Sequence, residues 1–155
     1  MKDPGLLLQT EYFRLLNNQV TYAGNIVPVY DTVPNNESFP YIQIGDKTDS
    51  NFSNKTTQGN ELTQGLTIVD RFQASTGGRN STYSISSDVM EILTARPNPF
   101  AVEELNVITS TLDNSLTRQE LSETFHYRIV ELRFRHLIEQ IGLGAFDVTF
   151  DLTFN

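Results

Sequence analysis

The chain has 155 residues, of which 38% are hydrophobic and 19% are charged. This length accommodates one domain with a real core but leaves little for a second domain. The absence of cysteine excludes a disulfide framework and a thiolate metal site. The longest apolar run, Leu6-Leu7-Leu8, is far shorter than the ~20 residues of a transmembrane helix, so we expect no membrane partner.

The formal net charge is −8, with 19 acidic and 11 basic side chains. Tight nucleic-acid binding needs clustered Lys and Arg side chains that displace counterions from phosphate, and the basic residues of this chain are scattered. We therefore predict no tight DNA binding. An acidic surface would let DNA pass without adhering, although it could equally serve solubility alone.

The first part of the chain predicts a helix followed by two short strands. Helical spacing of Leu6, Thr10, Phe13 and Leu16 or Asn17 indicates a helix over 6–20, with Gly24 closing the segment. Strands are predicted at about 26–30 and 40–45, on either side of a polar elbow bounded by Pro34 and Pro40. Residues 46–59 are almost entirely polar and read as a long loop.

The second part predicts three longer strands and one helix. Leu62, Leu66, Ile68 and Phe72 alternate with polar residues, as in a half-buried strand. After the Gly77-Gly78 turn, Ile85, Val89, Ile92 and Leu93 lie at helical spacing, and Arg96-Pro-Asn-Pro ends that helix. Strands follow at 102–112 and 124–138. In the last strand the apolar phase changes at Ile129-Val130, which predicts a β-bulge there.

These elements predict an α+β fold: a mainly antiparallel sheet of about five strands with two helices on one face, plus a C-terminal strand-like arm. We divide the chain into a domain of residues 1–138 and an extended arm of residues 139–155. In the arm, every even position from 146 to 154 is apolar and every odd one is Asp or Thr. The apolar residues, which we expect to form an interface, are Phe146, Val148, Phe150, Leu152 and Phe154.

Such an alternating segment needs a sheet partner, because a lone strand has neither ladder nor core. Gly142 and Gly144 offer a hinge by which it could return to its own domain. Alternatively it is donated to an adjacent subunit or another protein by β-augmentation. We favour donation, since the sheet through residue 138 looks complete without it.

No residue pattern indicates catalysis or a bound cofactor. His126 and His136 are the two candidate imidazole bases, but both lie in one predicted strand and no Gly-x-Ser-x-Gly motif accompanies them. Asp46, Asp49 and Asn51 faintly suggest calcium ligands, yet their spacing is not that of an EF-hand loop. We predict no catalytic, cofactor-binding or metal-binding residues.

Three segments occur in a characteristic order. The first is Val27-Pro-Val-Tyr-Asp-Thr-Val-Pro followed by Phe39-Pro-Tyr-Ile-Gln-Ile-Gly45. The second is Arg71-Phe72-Gln73, then Gly77-Gly78-Arg79 and the helix behind it; the third is Phe125-His126-Tyr127-Arg128 leading to Leu132-Arg133-Phe134-Arg135. Over residues 6 to 138 this order resembles the tail-completion (tail-terminator or tail-to-head joining) proteins of long-tailed bacteriophages. The C-terminal extension beyond residue 139 departs from that resemblance.

The resemblance implies a virion structural protein without enzymatic activity. It implies a ring, usually hexameric, that ends the tail tube and contacts the tail tube protein and a head-completion or connector protein. The protein would be assembled in the host cytoplasm and located in the virion tail or neck. The alternative is a monomeric adaptor, head-completion factor or assembly chaperone of the phage neck.

Overall fold

The computed structural model describes residues 3–51, 59–73, 79–102 and 105–140. Its elements, in chain order, are α1 (Pro4–Leu16), β1 (Thr21–Tyr22), β2 (Asn25–Ile26), β3 (Val29–Tyr30), β4 (Tyr41–Asn51), β5 (Gly59–Gln73), α2 (Arg79–Leu93), β6 (Leu105–Leu121) and β7 (Phe125–Gln140).

The main sheet has five strands in the order β3-β4-β5-β7-β6, and β1 pairs with β2 in a separate small sheet. All pairs in the main sheet are antiparallel except β3 with β4. Both helices contribute to one hydrophobic core with the same face of this sheet, which confirms the predicted α+β class. Among the described residues, no helix is long and apolar enough to cross a membrane.

Helix α1 is shorter than the predicted 6–20. The Asp3 side chain caps its N-terminus by accepting a hydrogen bond from the Gly5 amide at 2.9 Å, with Pro4 at the first helical position. The helix ends at Leu16, and two residues later Asn18 adopts a left-handed backbone with φ 62°.

The buried face of α1 also differs from the expected one. Leu8, Tyr12 and Leu16 are buried in the core, whereas Leu6 and Phe13 are 62% and 43% exposed. Both sets of residues have helical spacing, so periodicity alone could not decide which face packs against the sheet.

Gly24 belongs to a hairpin and does not terminate the helix. Ala23 and Gly24 both have positive φ, 52° and 81°, and form the two-residue turn between β1 and β2. The predicted strand 26–30 is split around Pro28, because proline cannot donate to a ladder. The Pro28 carbonyl accepts a hydrogen bond from the Ile42 amide at 2.9 Å, at the point where β3 pairs with β4.

Strand β4 continues through part of the predicted loop 46–59, so that prediction is wrong for residues 46–51. The ladder with β5 resumes after a register shift between Ile44 and Lys47 and runs to Asn51. Beyond Ile44 the side chains of β4 are exposed, so the hydrophobic alternation stops while the backbone pairing continues. Residues 52–58 lie outside the described residues.

The predicted bulge at Ile129-Val130 is wrong. Strand β7 pairs with β5 without interruption along its length, and the register shifts lie in β4 and at two places in β6. The apolar phase changes because both faces of the sheet are covered there: Val130 faces the helices, whereas Ile129 pairs with Val69 on the opposite face and is buried too.

The other long elements follow the predictions more closely. Helix α2 buries Ile85, Val89 and Leu93 and ends before the Arg96-Pro97 peptide. Strand β6 begins near the predicted position but continues to Leu121, well past residue 112.

Candidate interaction surfaces

His136 is the centre of a buried hydrogen-bond network beneath α1. Its Nε2 is hydrogen-bonded to the Tyr12 hydroxyl, and its Nδ1 lies 2.9 Å from Ser110 Oγ. Asn98 donates to the same Ser110 oxygen at 3.2 Å, and the Phe100 ring packs 4.9 Å from the imidazole. Burial lowers the pKa of His136 to about 4, so the imidazole is neutral at pH 7, with one accepting and one donating nitrogen.

This network has a structural role. It connects α1, the loop before β6, β6 and β7 around an imidazole that has no solvent access. Glu11 adds a second attachment, since its Oε1 accepts from the Ala101 amide at 2.7 Å while Arg14 donates to both carboxylate oxygens at 2.8 Å. Burial acts to raise the pKa of Glu11, but these hydrogen bonds outweigh it and the pKa is lowered.

The structure does not gather the other candidates for chemistry. His126 lies at the far end of β7 and contacts Gln119 on β6 at 3.0 Å, so the two histidines form no site together. Asp49 accepts a hydrogen bond from Asn60 at 2.7 Å. Among the residues that the structure describes, no group of three or more His, Cys, Asp or Glu side chains could hold a metal ion.

Strand β6 forms one edge of the main sheet, and its two halves differ. Along residues 105–110 the loop before the strand covers this edge: Asn98 Nδ2 donates to the Val107 carbonyl at 3.3 Å, and the Leu105 amide donates to the Val102 carbonyl at 3.3 Å. We call residues 111–121 distal β6. Every side chain of distal β6 except Thr117 is exposed, including three leucines, Leu112, Leu116 and Leu121.

An aromatic cluster lies on the sheet face opposite the helices. Phe39, from the elbow between β3 and β4, packs against Tyr41 and Tyr127 with ring centroids 5.3 and 5.9 Å apart. The Arg71 guanidinium lies 4.6 Å from the Phe39 ring centroid and 4.2 Å from that of Phe125. The elbow therefore folds over the outer face, which explains why Val69 and Ile129 are buried there.

Elsewhere on the outer face, opposite charges are paired. Arg135 forms ion pairs with Glu61 at 3.2 Å and Asp113 at 2.7 Å. Arg118 pairs with Glu131 at 3.2 Å and with Glu120. Glu131 also lines an open, mainly polar concavity of about 500 Å³. Its lining includes Asp46, Gly65, Asn114, Glu131 and Arg133. The described part of this face thus presents mixed charge and no basic patch.

The residues predicted as an interface, Phe146, Val148, Phe150, Leu152 and Phe154, lie outside the described residues, and their role stays a prediction. So does the division between residues 1–138 and 139–155, although β7 continues to Gln140. Sequence reasoning ended strand β6 at residue 112 and missed the rest of distal β6, because that segment lacks apolar alternation. Its run of Thr, Ser and Asn between isolated leucines was the available signal.

The fold and these surfaces define a class: an α+β protein with a five-stranded sheet whose long edge strand, β6, exposes the side chains of its distal half. The chain matches the family model described as "Tail completion protein gp17" over residues 14–139. It therefore belongs to the tail completion protein family and is a structural protein of a virion tail.

Comparison with solved structures supports the fold. A chain from the structure titled "Virion of native gene transfer agent (GTA) particle" matches with a TM-score of 0.59 and 17% sequence identity. The match covers 87% of this chain and 90% of that chain. A search of curated proteins gives no significant match.

Proposed function

We propose that this protein forms a closed, hexameric ring that ends the tail tube and joins it to the head connector. The observation that carries the proposal is distal β6: in this 17-residue strand at the sheet edge, ten of the last 11 side chains are exposed, on both faces of the sheet. Unpaired edge backbone is a template for pairing with another chain, and proteins that stay monomeric usually shield it.

A ring needs contact between unlike surfaces of neighbouring subunits, whereas a symmetric dimer pairs like surfaces. The opposite edge of the main sheet is β3, a strand of two residues beside β4, so the long edge β6 would meet a different surface of its neighbour. Repeated heterologous contacts of this kind close into a ring when the rotation between subunits allows it. The partners along the ring axis would be the tail tube protein on one side and a head-completion or connector protein on the other.

The charge distribution suits a ring that DNA traverses without adhering. The net charge is −8, and Arg118 and Arg135 on the outer face are engaged in ion pairs. With an excess of negative charge and these two cations already paired, counterion release contributes little to DNA affinity. We expect no submicromolar binding of duplex DNA at physiological salt in an electrophoretic mobility assay, and binding of that strength would contradict this part of the proposal.

Particles made without the protein test the proposal most directly. Deletion of the gene, with and without complementation in trans, should produce filled heads and separate tails in electron micrographs. Cryo-electron microscopy of complemented particles should then show the ring at the head-proximal end of the tail. A protein that stays monomeric in solution and on intact particles would overturn the ring and favour the adaptor or chaperone alternative.

A further inference from the structure

We propose that distal β6 of one subunit accepts residues 146–154 of a neighbouring copy as an added β-strand. The proposal rests on the ring described above and specifies the contact between its subunits. It assigns an acceptor to the C-terminal segment and a partner to the exposed half of β6.

In the part of the chain that the structure describes, the acceptor is open on its edge and on both faces. The covering by Asn98 and Val102 ends near residue 110, and the described strand that pairs with the remaining 11 residues of β6 is β7. On the helix-side face, Leu112 and Leu121 stand opposite Phe134 and His126 of β7, yet they remain 38% and 68% exposed. These two leucines therefore lie in the same layer as the core side chains but remain exposed to solvent.

The donor matches this edge in length and pattern. Nine extended residues span about 30 Å, and the 11 residues of distal β6 span about 36 Å. If Phe146, Phe150 and Phe154 lie on the helix-side face, they cover the exposed leucines of that layer. Asp147 and Asp151 then lie on the opposite face, the one that carries Arg118.

Geometry favours a neighbour's segment over the subunit's own. β7 ends at Gln140, which pairs with Leu105 at the other end of β6. A strand added outside residue 111 would begin about 20 Å away from Gln140 along the sheet and two strand spacings, about 10 Å, across it, which is about 22 Å in a straight line. The six Cα steps from 140 to 146 span at most about 22 Å when fully extended. The loop at residues 98–102 occupies that path, so a segment of the same chain would have to go around it.

Disulfide mapping tests the contact, because the chain contains no cysteine of its own. One tagged copy carries Asn114→Cys on distal β6. A second, differently tagged copy carries Asp147→Cys, Thr149→Cys or Asp151→Cys, which scans the register within the distance that a disulfide tolerates. The control acceptor is Ser87→Cys, an exposed position on α2.

We expect an oxidised product that joins the two tags for at least one register position, at several times the yield of the Ser87→Cys control. Equal yields with the control overturn the inference. So does a cross-link that forms only within one chain, in a double variant carrying both cysteines. Rings that form without cross-links would support the proposed ring and overturn the strand exchange. Cross-linked copies that never form rings would support the strand exchange and overturn the ring.

Truncation after Gly144 supplies a second readout. The thermal unfolding transition should stay within a few degrees of the full chain, while the concentration needed for assembly rises at least tenfold. Loss of folding would overturn the inference in favour of an intramolecular strand, and unchanged assembly would overturn it as well.

Discussion

The two halves of β6 share one backbone ladder with β7 but have different surroundings. One face of residues 105–110 belongs to the core: Leu105 and Val107 are buried, and Ser110 joins the His136 network. Distal β6 keeps the same pairing, yet all its side chains but Thr117 are exposed. The two halves therefore have the same backbone pairing and differ in whether their side chains are buried.

This difference separates two roles of one strand. The first half stabilises the subunit, because Leu105 and Val107 lose most of their contact with water when the chain folds. The second half adds little to that burial. It exposes leucines at a sheet edge, an arrangement that favours association with another chain. Substitutions in either half, or in the network that supports the first half, test this separation.

The largest effect on folding is expected from Leu105→Ala. Leu105 is 4% exposed, and truncating a buried leucine removes transfer free energy and leaves a cavity, at a cost of about 2–5 kcal/mol. Leu121→Ala, which changes the same side chain at 68% exposure, should stay within about 0.5 kcal/mol. Urea denaturation of both variants checks the contrast, and equal losses would show that distal β6 is packed in solution.

Acid should weaken the buried half through His136. The pKa of His136 is lowered from 6.5 to about 4 by burial, so the unfolded chain binds the proton more readily than the folded one. Stability is therefore full above pH 6.5 and falls as the pH drops towards 4, by about 3 kcal/mol over this window.

Unfolding curves at pH 7 and pH 5 measure the part of this loss that falls between those two values, about 2 kcal/mol. His126→Gln is the control, because His126 lies on the partly exposed end of β7 and its removal should leave the loss intact. If the wild-type free energy of unfolding were the same at both pH values, the assignment of a neutral, buried imidazole to His136 would be wrong.

Tyr12→Phe should cost about 1–3 kcal/mol, since it removes the hydroxyl that His136 Nε2 contacts and leaves that nitrogen buried without a partner. Tyr83→Phe, at an α2 position that is 48% exposed, should change the free energy of unfolding by less than about 0.5 kcal/mol. Thermal denaturation compares the pair, and a neutral Tyr12→Phe would indicate that water replaces the hydroxyl.

The smallest effect on folding, with a large one on assembly, is expected from Leu116→Lys or Leu121→Lys. Both side chains are at least half exposed, so the free energy of unfolding should change by less than about 0.5 kcal/mol. A lysine on an edge strand opposes pairing with another chain, and we expect assembly to weaken at least ~10-fold. Analytical ultracentrifugation measures it against Tyr83→Lys, and assembly equal to that control would remove distal β6 from the interface.

Several features of the fold were predictable from local patterns. Alternation located β5, helical spacing located α2, and the order of Phe39-Pro40, Arg71-Phe72 and Phe134-Arg135 indicated the family that the comparison with family models confirmed. These signals work because each depends on residues that are close in sequence: side chains alternate along a strand and recur along a helix with fixed periods.

The remaining features depend on which surfaces meet. The buried stripe of α1 is Leu8, Tyr12 and Leu16 because the His136 network and the core lie on that side, and no local period distinguishes it from the stripe of Leu6 and Phe13. The phase change at Ile129 looked like a bulge because the cover on the outer face comes from Phe39, which is far away in sequence. Distal β6 lacked alternation because neither face is buried, so its extent follows from hydrogen bonds to β7 alone. A single sequence encodes the period of each element, but contact between distant segments decides which face of it is covered.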